Sequence, residues 1–216
     1  MNKFMLKKII FIISMMLIIS ACETVAPQNE INETEEIQDE EFKLVLPNKL
    51  RQWAISATAS SAYGSIHADG DWTPSSLIGE PDVIKCEDDP KAWVSAQEDD
   101  DLQWIELIYD KNVYVTDIRI RETLGPGAVV MIEAKSDDGY KTIFEGTDNN
   151  EECLDFFEFT YNDGELNKTD FMTDTIKITL DTNVADWNEI DAVELIGYQR
   201  NWHIEPDGNF TKVVLE

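Results

Sequence analysis

The chain has 216 residues, room for one ordinary domain with extensions, and 43% of them are hydrophobic, which excludes disorder throughout. Seventeen Lys and Arg face 44 Asp and Glu, a formal net charge of −27 that repels phosphate backbones and argues against nucleic acid as a partner. It also keeps the chain off anionic lipid unless something else holds it there.

In chain order, Lys3, Lys7 and Lys8 form a basic start, followed by a stretch from Ile9 to Ile19 in which only Ser14 is polar. Eleven residues are too few to span a bilayer and fit the apolar part of a secretory signal. The stretch ends in Ile19-Ser20-Ala21-Cys22, which resembles the bacterial lipobox. That resemblance implies cleavage before Cys22, a lipidated thiol and an acylated new amino group, making residues 1–22 a signal peptide ending at the anchor. Several acyl chains hold a protein firmly where one binds marginally. The expected location is the outer face of the cell membrane or the outer membrane. The alternatives are an ordinary signal peptide with an incidental Cys, or an uncleaved anchor.

Residues 23–41 carry eight acids and no base, with no sustained apolar period. Such a segment cannot bury enough surface to fold, and its charges extend it, so residues 23–50 read as a disordered tether. A cation-binding acidic arm is the alternative, weakened by the lack of a rigid cage.

From about Gln52 short alternating runs separate turn-rich loops. Thr175 to Asp181 is a period-2 strand with Ile176, Ile178 and Leu180 inward. Gln103 to Tyr109 places Ile105, Leu107 and Tyr109 on one face, and Val113 to Arg121 turns Ile118 and Ile120 inward. Val129 to Ala134, Tyr140 to Phe144, Phe156 to Tyr161 and Ala192 to Ile196 complete the strands. Asp110-Lys111-Asn112, Asp137-Asp138-Gly139 and Asn162-Asp163-Gly164 read as turns between them. No helical stripe exceeds two turns. The expected fold is all-β, an antiparallel jelly-roll β-sandwich over residues 51–198, with a C-terminal extension at 199–216 that adds an edge strand or docks a partner.

Five blocks, taken in order, resemble the galactose-binding-like, discoidin-type β-sandwich. They are Ala54 to Ser61; Ser76-Leu77-Ile78-Gly79-Glu80-Pro81-Asp82; Ala92-Trp93; Trp104-Ile105-Glu106-Leu107; and Trp187-Asn188-Glu189-Ile190-Asp191-Ala192-Val193-Glu194-Leu195-Ile196-Gly197. Gly125-Pro126-Gly127-Ala128 and the Gly-Glu-Pro-Asp and Trp-Asn-Glu-Ile-Asp-Ala-Val-Glu-Leu blocks look most like the subgroup found in pappalysin and some F-box proteins. The resemblance covers about residues 52–198. It implies a jelly roll of about eight strands acting as a non-catalytic adhesion or recognition module. Many relatives bind carbohydrate or phospholipid headgroups through loops, and many hold one structural Ca²⁺. By position the calcium candidates are Asp82 with Glu194 or Glu189. The usual Asp-Gly-Asp/Asn run is absent at the early loop, and a turn-capping Asp82 with a solvated Glu194 is the competing reading. The Asp99-Asp100-Asp101 run cannot converge on one ion and reads as a solvated turn.

Sugars stack their CH faces on exposed aromatics while a few polar groups fix the hydroxyls. The candidate ligand-binding residues are Tyr63, Trp72, Arg121 and Trp187, with Asn188 and His67 as possible polar partners. For each Trp the competing reading is a loop plug over the core, which is favoured for Trp93 and Trp187, and for Arg121 it is a surface ion pair worth under about 1 kcal/mol. With Cys22 used by the anchor, Cys86 and Cys153 are left for one disulfide in an exported chain, or for two free thiols in a reducing habitat. His67 and His203 are too few for a multi-histidine zinc site, and no nucleophile-elbow, zincin or phosphate-loop motif occurs, so the chain does not read as an enzyme. The functional expectation is a membrane-anchored surface lipoprotein recognising a glycan or an envelope component. A protein–protein docking or structural module is the alternative, and a solute-binding role a third, weakened by the lack of a two-lobed clamp.

Overall fold

The computed structural model describes residues 48–98, 101–162, 167–184 and 187–200, and the backbone of 202–204 and 210–212. The lipobox with Cys22, nearly all of the tether, Asp99, Asp100, the turn residues Asp163 and Gly164, and the run 213–215 lie outside the described residues.

Ten strands are described: β1 (Leu50–Trp53), β2 (Ser56–Ala59), β3 (Leu102–Leu124), β4 (Val129–Ser136), β5 (Gly139–Glu145), β6 (Asp155–Thr160), β7 (Met172–Asp181), β8 (Glu189–Tyr198), β9 (Trp202–Ile204) and β10 (Phe210–Lys212). Every pairing is antiparallel. One 3₁₀ turn, Pro74–Leu77, is the helical element among the described residues. The fold is the expected all-β jelly-roll sandwich.

Its organising strand is β3, 23 residues long. The first half, Leu102 to Ile108, pairs with β2 and β7, and β7 continues the layer to β4 and β5. The second half, Tyr114 to Leu124, pairs with β8 and β6, and β8 carries β1 at the edge. The register shifts between Ile108 and Val113, where the strand passes from one layer to the other. Asp110-Lys111-Asn112 is therefore not the turn expected from its composition. The chain does not reverse there, because Val113 and Tyr114 resume pairing with the same neighbour, β7. The three polar residues face solvent on the outside of a bulged crossing.

The core fills by alternation. Ile105, Leu107, Ile118, Ile120, Ile132, Ile176, Ile178, Leu180 and Leu195 are all fully buried in one cluster, with Phe157 and Phe159 of β6 closing it. Phe144 of β5 tilts against both, at 5.3 and 5.7 Å between ring centroids. Trp104 points to the other face, where the Lys177 ammonium lies 5.7 Å from its ring. Leu50, at the end of the segment read as tether, already pairs with Gly197. Neither β1 nor β2 stands out in the sequence, because four residues are too few to show a period and the Ser-Ala-Thr-Ala of β2 gives little apolar contrast. In the C-terminal extension β9 and β10 form a two-stranded sheet of their own.

The long segment between β2 and β3 is held down by Trp93. Its ring is 0% exposed, its indole N–H donates to the Ser61 carbonyl at 3.0 Å, and its backbone exchanges two hydrogen bonds with Ile190 of β8, at 2.8 and 2.9 Å. The loop-plug reading of this Trp holds. Cys86 and Cys153 form a disulfide that ties the same segment to the approach to β6 across 67 positions. A closure of that length contributes a few kcal/mol, on the order of 4, through the unfolded chain. Trp93→Ala should cost about 3–5 kcal/mol of unfolding free energy in urea titrations, while leaving the β-type circular dichroism intact at zero denaturant.

Candidate aromatic and acidic site

β3 begins beside the end of β2 and ends beside the start of β8, and the loops at these two flanks meet. Tyr63, after β2, stands with its ring edge-on to Trp72 at 5.7 Å and to Trp187 at 5.6 Å. Both geometries are the T-shaped arrangement that aromatic quadrupoles favour. The three rings, with Val94, Asp88 and Glu189, line a half-open cavity of about 150 Å³. Tyr63 is 61% exposed and the two Trp are half-buried. The structure thus brings together three of the four aromatic and basic residues singled out as ligand-binding. Trp187 is a cavity wall and not a core plug.

Each ring is positioned by backbone. Tyr63 N–H donates to Val94 at 3.0 Å, so the loop fixed by Trp93 also fixes Tyr63. Trp72 N–H donates to Pro90 at 2.9 Å, its carbonyl accepts from Gly64 N–H at 3.1 Å, and its indole N–H donates to the Asp88 carboxylate at 3.1 Å. A side chain at Gly64 would collide with the Asp71 carbonyl at 2.2 Å, so glycine is what lets the two segments cross. Trp72 also has φ of 51°, a left-handed conformation that is strained for a bulky residue and persists only where the surroundings over-determine it. At Trp187 the neighbour is Gly125, again left-handed at φ 52°. A Cβ there would sit 2.4 Å from the Trp187 carbonyl. Asn188 seals this contact by donating from its side-chain amide to the Gly125 carbonyl at 2.5 Å.

The acidic side of the cavity was only partly foreseen. Glu189, 1% exposed, accepts from Asp89 N–H and from the Thr123 hydroxyl, each at 3.5 Å. Burial pushes its carboxyl up to about 8, and the hydrogen bond with Asp88 pushes the same way. Asp88 was not singled out, because Glu87-Asp88-Asp89 in a loop looks like any solvated acidic run. The contact with the Trp72 indole that marks it is a tertiary fact.

Arg121 lies elsewhere, and its assignment to the ligand site is corrected. Its guanidinium donates to the Leu154 carbonyl and lies 5.1 Å from the Phe156 ring, pinning the segment after the disulfide. His67 lines a separate shallow groove with Ile66 and Ile78. The calcium candidates do not assemble either. Both Glu194 oxygens are taken by guanidinium groups, from Arg51 at 2.8 and 2.7 Å and from Arg119 at 3.1 Å. Asp82 pairs with Lys91 at 3.0 Å. Calcium wants six to eight oxygens free to face it, and two arginines on one carboxylate oppose that, so Asp82 and Glu194 do not fit the ion. Among the described residues no three His, Cys, Asp or Glu side chains are grouped so as to hold a metal.

A second acidic pair supports the site from below. Glu122, 1% exposed, accepts from Gly127 N–H at 3.1 Å and from the Asn150 amide at 2.6 Å. Asp148 accepts from Val129 N–H at 3.4 Å and Asn150 N–H at 2.9 Å. Together they hold the Gly125–Ala128 turn that packs on Trp187. Burial, with Asp148 beside it, pushes Glu122 up to about 8, so it keeps its proton at neutral pH and donates it to Asp148.

The family description for the C-terminal SD scarf domain of pappalysin-1 matches residues 47–206, most of the chain, and the chain belongs to this family. No curated protein sequence matches it. Among solved structures it is similar to the family 32 carbohydrate-binding module of Clostridium perfringens NanJ in complex with galactose. That match has 18% identity and a TM-score of 0.48, covering 68% of this chain and 99% of that one. It is similar also to the CBM32 of AlyQ in complex with 4,5-unsaturated mannuronic acid, at 18% identity and TM-score 0.47, covering 67% and 96%. A third is a pectin-binding module, at 17% identity and TM-score 0.47, covering 66% and 89%.

A carboxyl whose folded pKa is raised from its usual value near 4.5 to about 8 binds more protons folded than unfolded across that window. Stability through Glu122 is therefore full at low pH and declines as pH rises from about 4.5 to 8. Thermal melts should show Tm falling from pH 5 to pH 8, with a shallower fall in Glu122→Gln, which mimics the protonated acid and should melt higher than the unsubstituted chain at pH 8.

Proposed function

We propose that the chain is an exported lipoprotein, anchored through Cys22, whose sandwich is a non-catalytic carbohydrate-recognition module. The observation that supports this most is the meeting of Tyr63, Trp72 and Trp187 around a half-open cavity with Asp88 and Glu189 in its wall. Flat rings offer the CH face of a sugar its stacking surface, and fixed carboxyl groups hydrogen-bond its hydroxyls. The cavity is smaller than the 300–1,000 Å³ usual for drug-sized ligands and suits one sugar ring at a chain end.

Turnover is not part of this reading. Glycoside hydrolysis needs two carboxyls about 5–9.5 Å apart across the scissile bond. Asp88 and Glu189 share a hydrogen bond, which leaves no room for a sugar carbon between them.

The full chain, held in detergent, should bind glycans on an array, with and without calcium, and Tyr63→Ala or Trp72→Ala should abolish the signal. Absence of any glycan binding in both conditions would defeat the recognition reading and favour a docking module for an envelope protein. For the anchor, Cys22→Ala should move the chain from the membrane fraction to the soluble exported fraction; unchanged membrane association would refute lipidation at Cys22.

A further inference from the structure

The cavity carries a charge pattern that separates classes of sugar, an inference that rests on the carbohydrate reading above. Asp88 and Glu189 are its acidic groups, and no Lys, Arg or His is among its described lining residues. Arg121, the cation expected there, is committed to Leu154 and Phe156. Lys85 and Lys91, the basic residues flanking the acidic loop, pair with Glu87 and with Asp82, and Asp82 lines a different groove. A uronic or sialic acid would thus bring a carboxylate against two carboxyls without any counter-charge, in a chain of net charge −27.

The same walls suit a cation. Tyr63 and Trp72 present π-systems at a fixed mutual angle of 77°, and Tyr63 and Trp187 at 83°, so an ammonium entering among them meets more than one electron-rich surface. Asp88 is held in place by the Trp72 indole, and Glu189 by Thr123 and the Asp89 backbone. The acceptors are fixed before a ligand arrives, which lowers the ordering cost of binding. We infer that the ligand of this cavity is a glycan bearing a protonated primary amine, an unacetylated 2-amino-2-deoxyhexose, whose ring stacks on the aromatic walls while its ammonium sits between those rings and the hydrogen-bonded Asp88–Glu189 acid pair. An N-acetyl group would remove the charge and bring bulk to a cavity of about 150 Å³.

The test is calorimetric titration of the full chain in detergent, at physiological salt, with glucosamine tetramer, N-acetylglucosamine tetramer and a galacturonate tetramer. The expected result is glucosamine binding about tenfold tighter than the N-acetylated form, with no binding of the galacturonate. Asp88→Asn, at an exposed position that should fold normally, alone or combined with Glu189→Gln, should bring the two amino-sugar affinities to within about threefold. Because so acidic a chain attracts any polycation, Tyr63→Ala is the control: it keeps every charge and should lose the binding. Equal affinity for the two amino sugars, or a preference that survives Asp88→Asn and Glu189→Gln, would overturn the amine inference. In that case neutral-glycan binding sensitive to Tyr63→Ala would leave the carbohydrate reading standing. Glucosamine binding untouched by Tyr63→Ala would also overturn it, as charge attraction elsewhere on the surface. Failure of every sugar, charged or neutral, would remove both.

Discussion

The docking of Trp93 on β8 is the constraint on which the rest of the aromatic site depends. Its ring supplies apolar burial, and its backbone pairing with Ile190 fixes the height of the loop above the sheet. From that single attachment the neighbours follow in both directions. Val94 receives Tyr63 on one side, and Pro90 receives Trp72 on the other. Glu189 is the residue preceding Ile190, so the attachment also sets which carboxyl the loop acids meet. Tyr63 and Trp72 meet the sequence-distant Trp187 because one buried indole leaves the loop no other place to run.

The acidity of the molecule is spent unevenly. Most carboxylates face water and act on distant charges, but Glu122 and Glu189 are withdrawn from it and paired with other acids, Asp148 and Asp88. Each pair hydrogen-bonds backbone N–H groups of a loop next to the aromatic walls. Acid–acid contact is costly when ionised and tolerable when one partner keeps a proton. On the opposite side Glu194 follows the reverse pattern, with both oxygens balanced by Arg51 and Arg119. Buried acids of the same residue type thus meet opposite partners, set by which neighbours the sheet register delivers.

Much of the fold could be read from residue order. Ile176, Ile178 and Leu180 alternate without interruption, and all three are in the core. The block pattern around Ala92-Trp93 and Trp187 to Gly197 pointed to the right family over nearly the matched range. What failed was local chemistry overruled by long-range pairing: Asp110-Lys111-Asn112 has turn composition, yet β7 on one side carries the strand straight through. The same divide runs through the site. Tyr63 and Trp72 could be found because Gly64 to Gly70 around them reads as polar loop. Asp88 could not, since its role exists only through the Trp72 indole, and Glu189 was noticed for a metal it is not grouped to hold. Arg121 misled because a rare cation in an acidic chain invites a role, and its actual partners, Leu154 and Phe156, come from the distant start of β6 and the residue before it.

The bond between Cys86 and Cys153 bears on how the chain survives proteolysis. The exposed bulge at residues 110–112 and the tight hairpin turn at Asp137-Asp138 both lie inside the loop it closes. A single cut at either place leaves two pieces joined by sulfur and by the sheet, and the Asp88 edge of the cavity stays tied to Leu154. Such a chain can be nicked at its most accessible points and still present an intact face, until a reductant separates the halves.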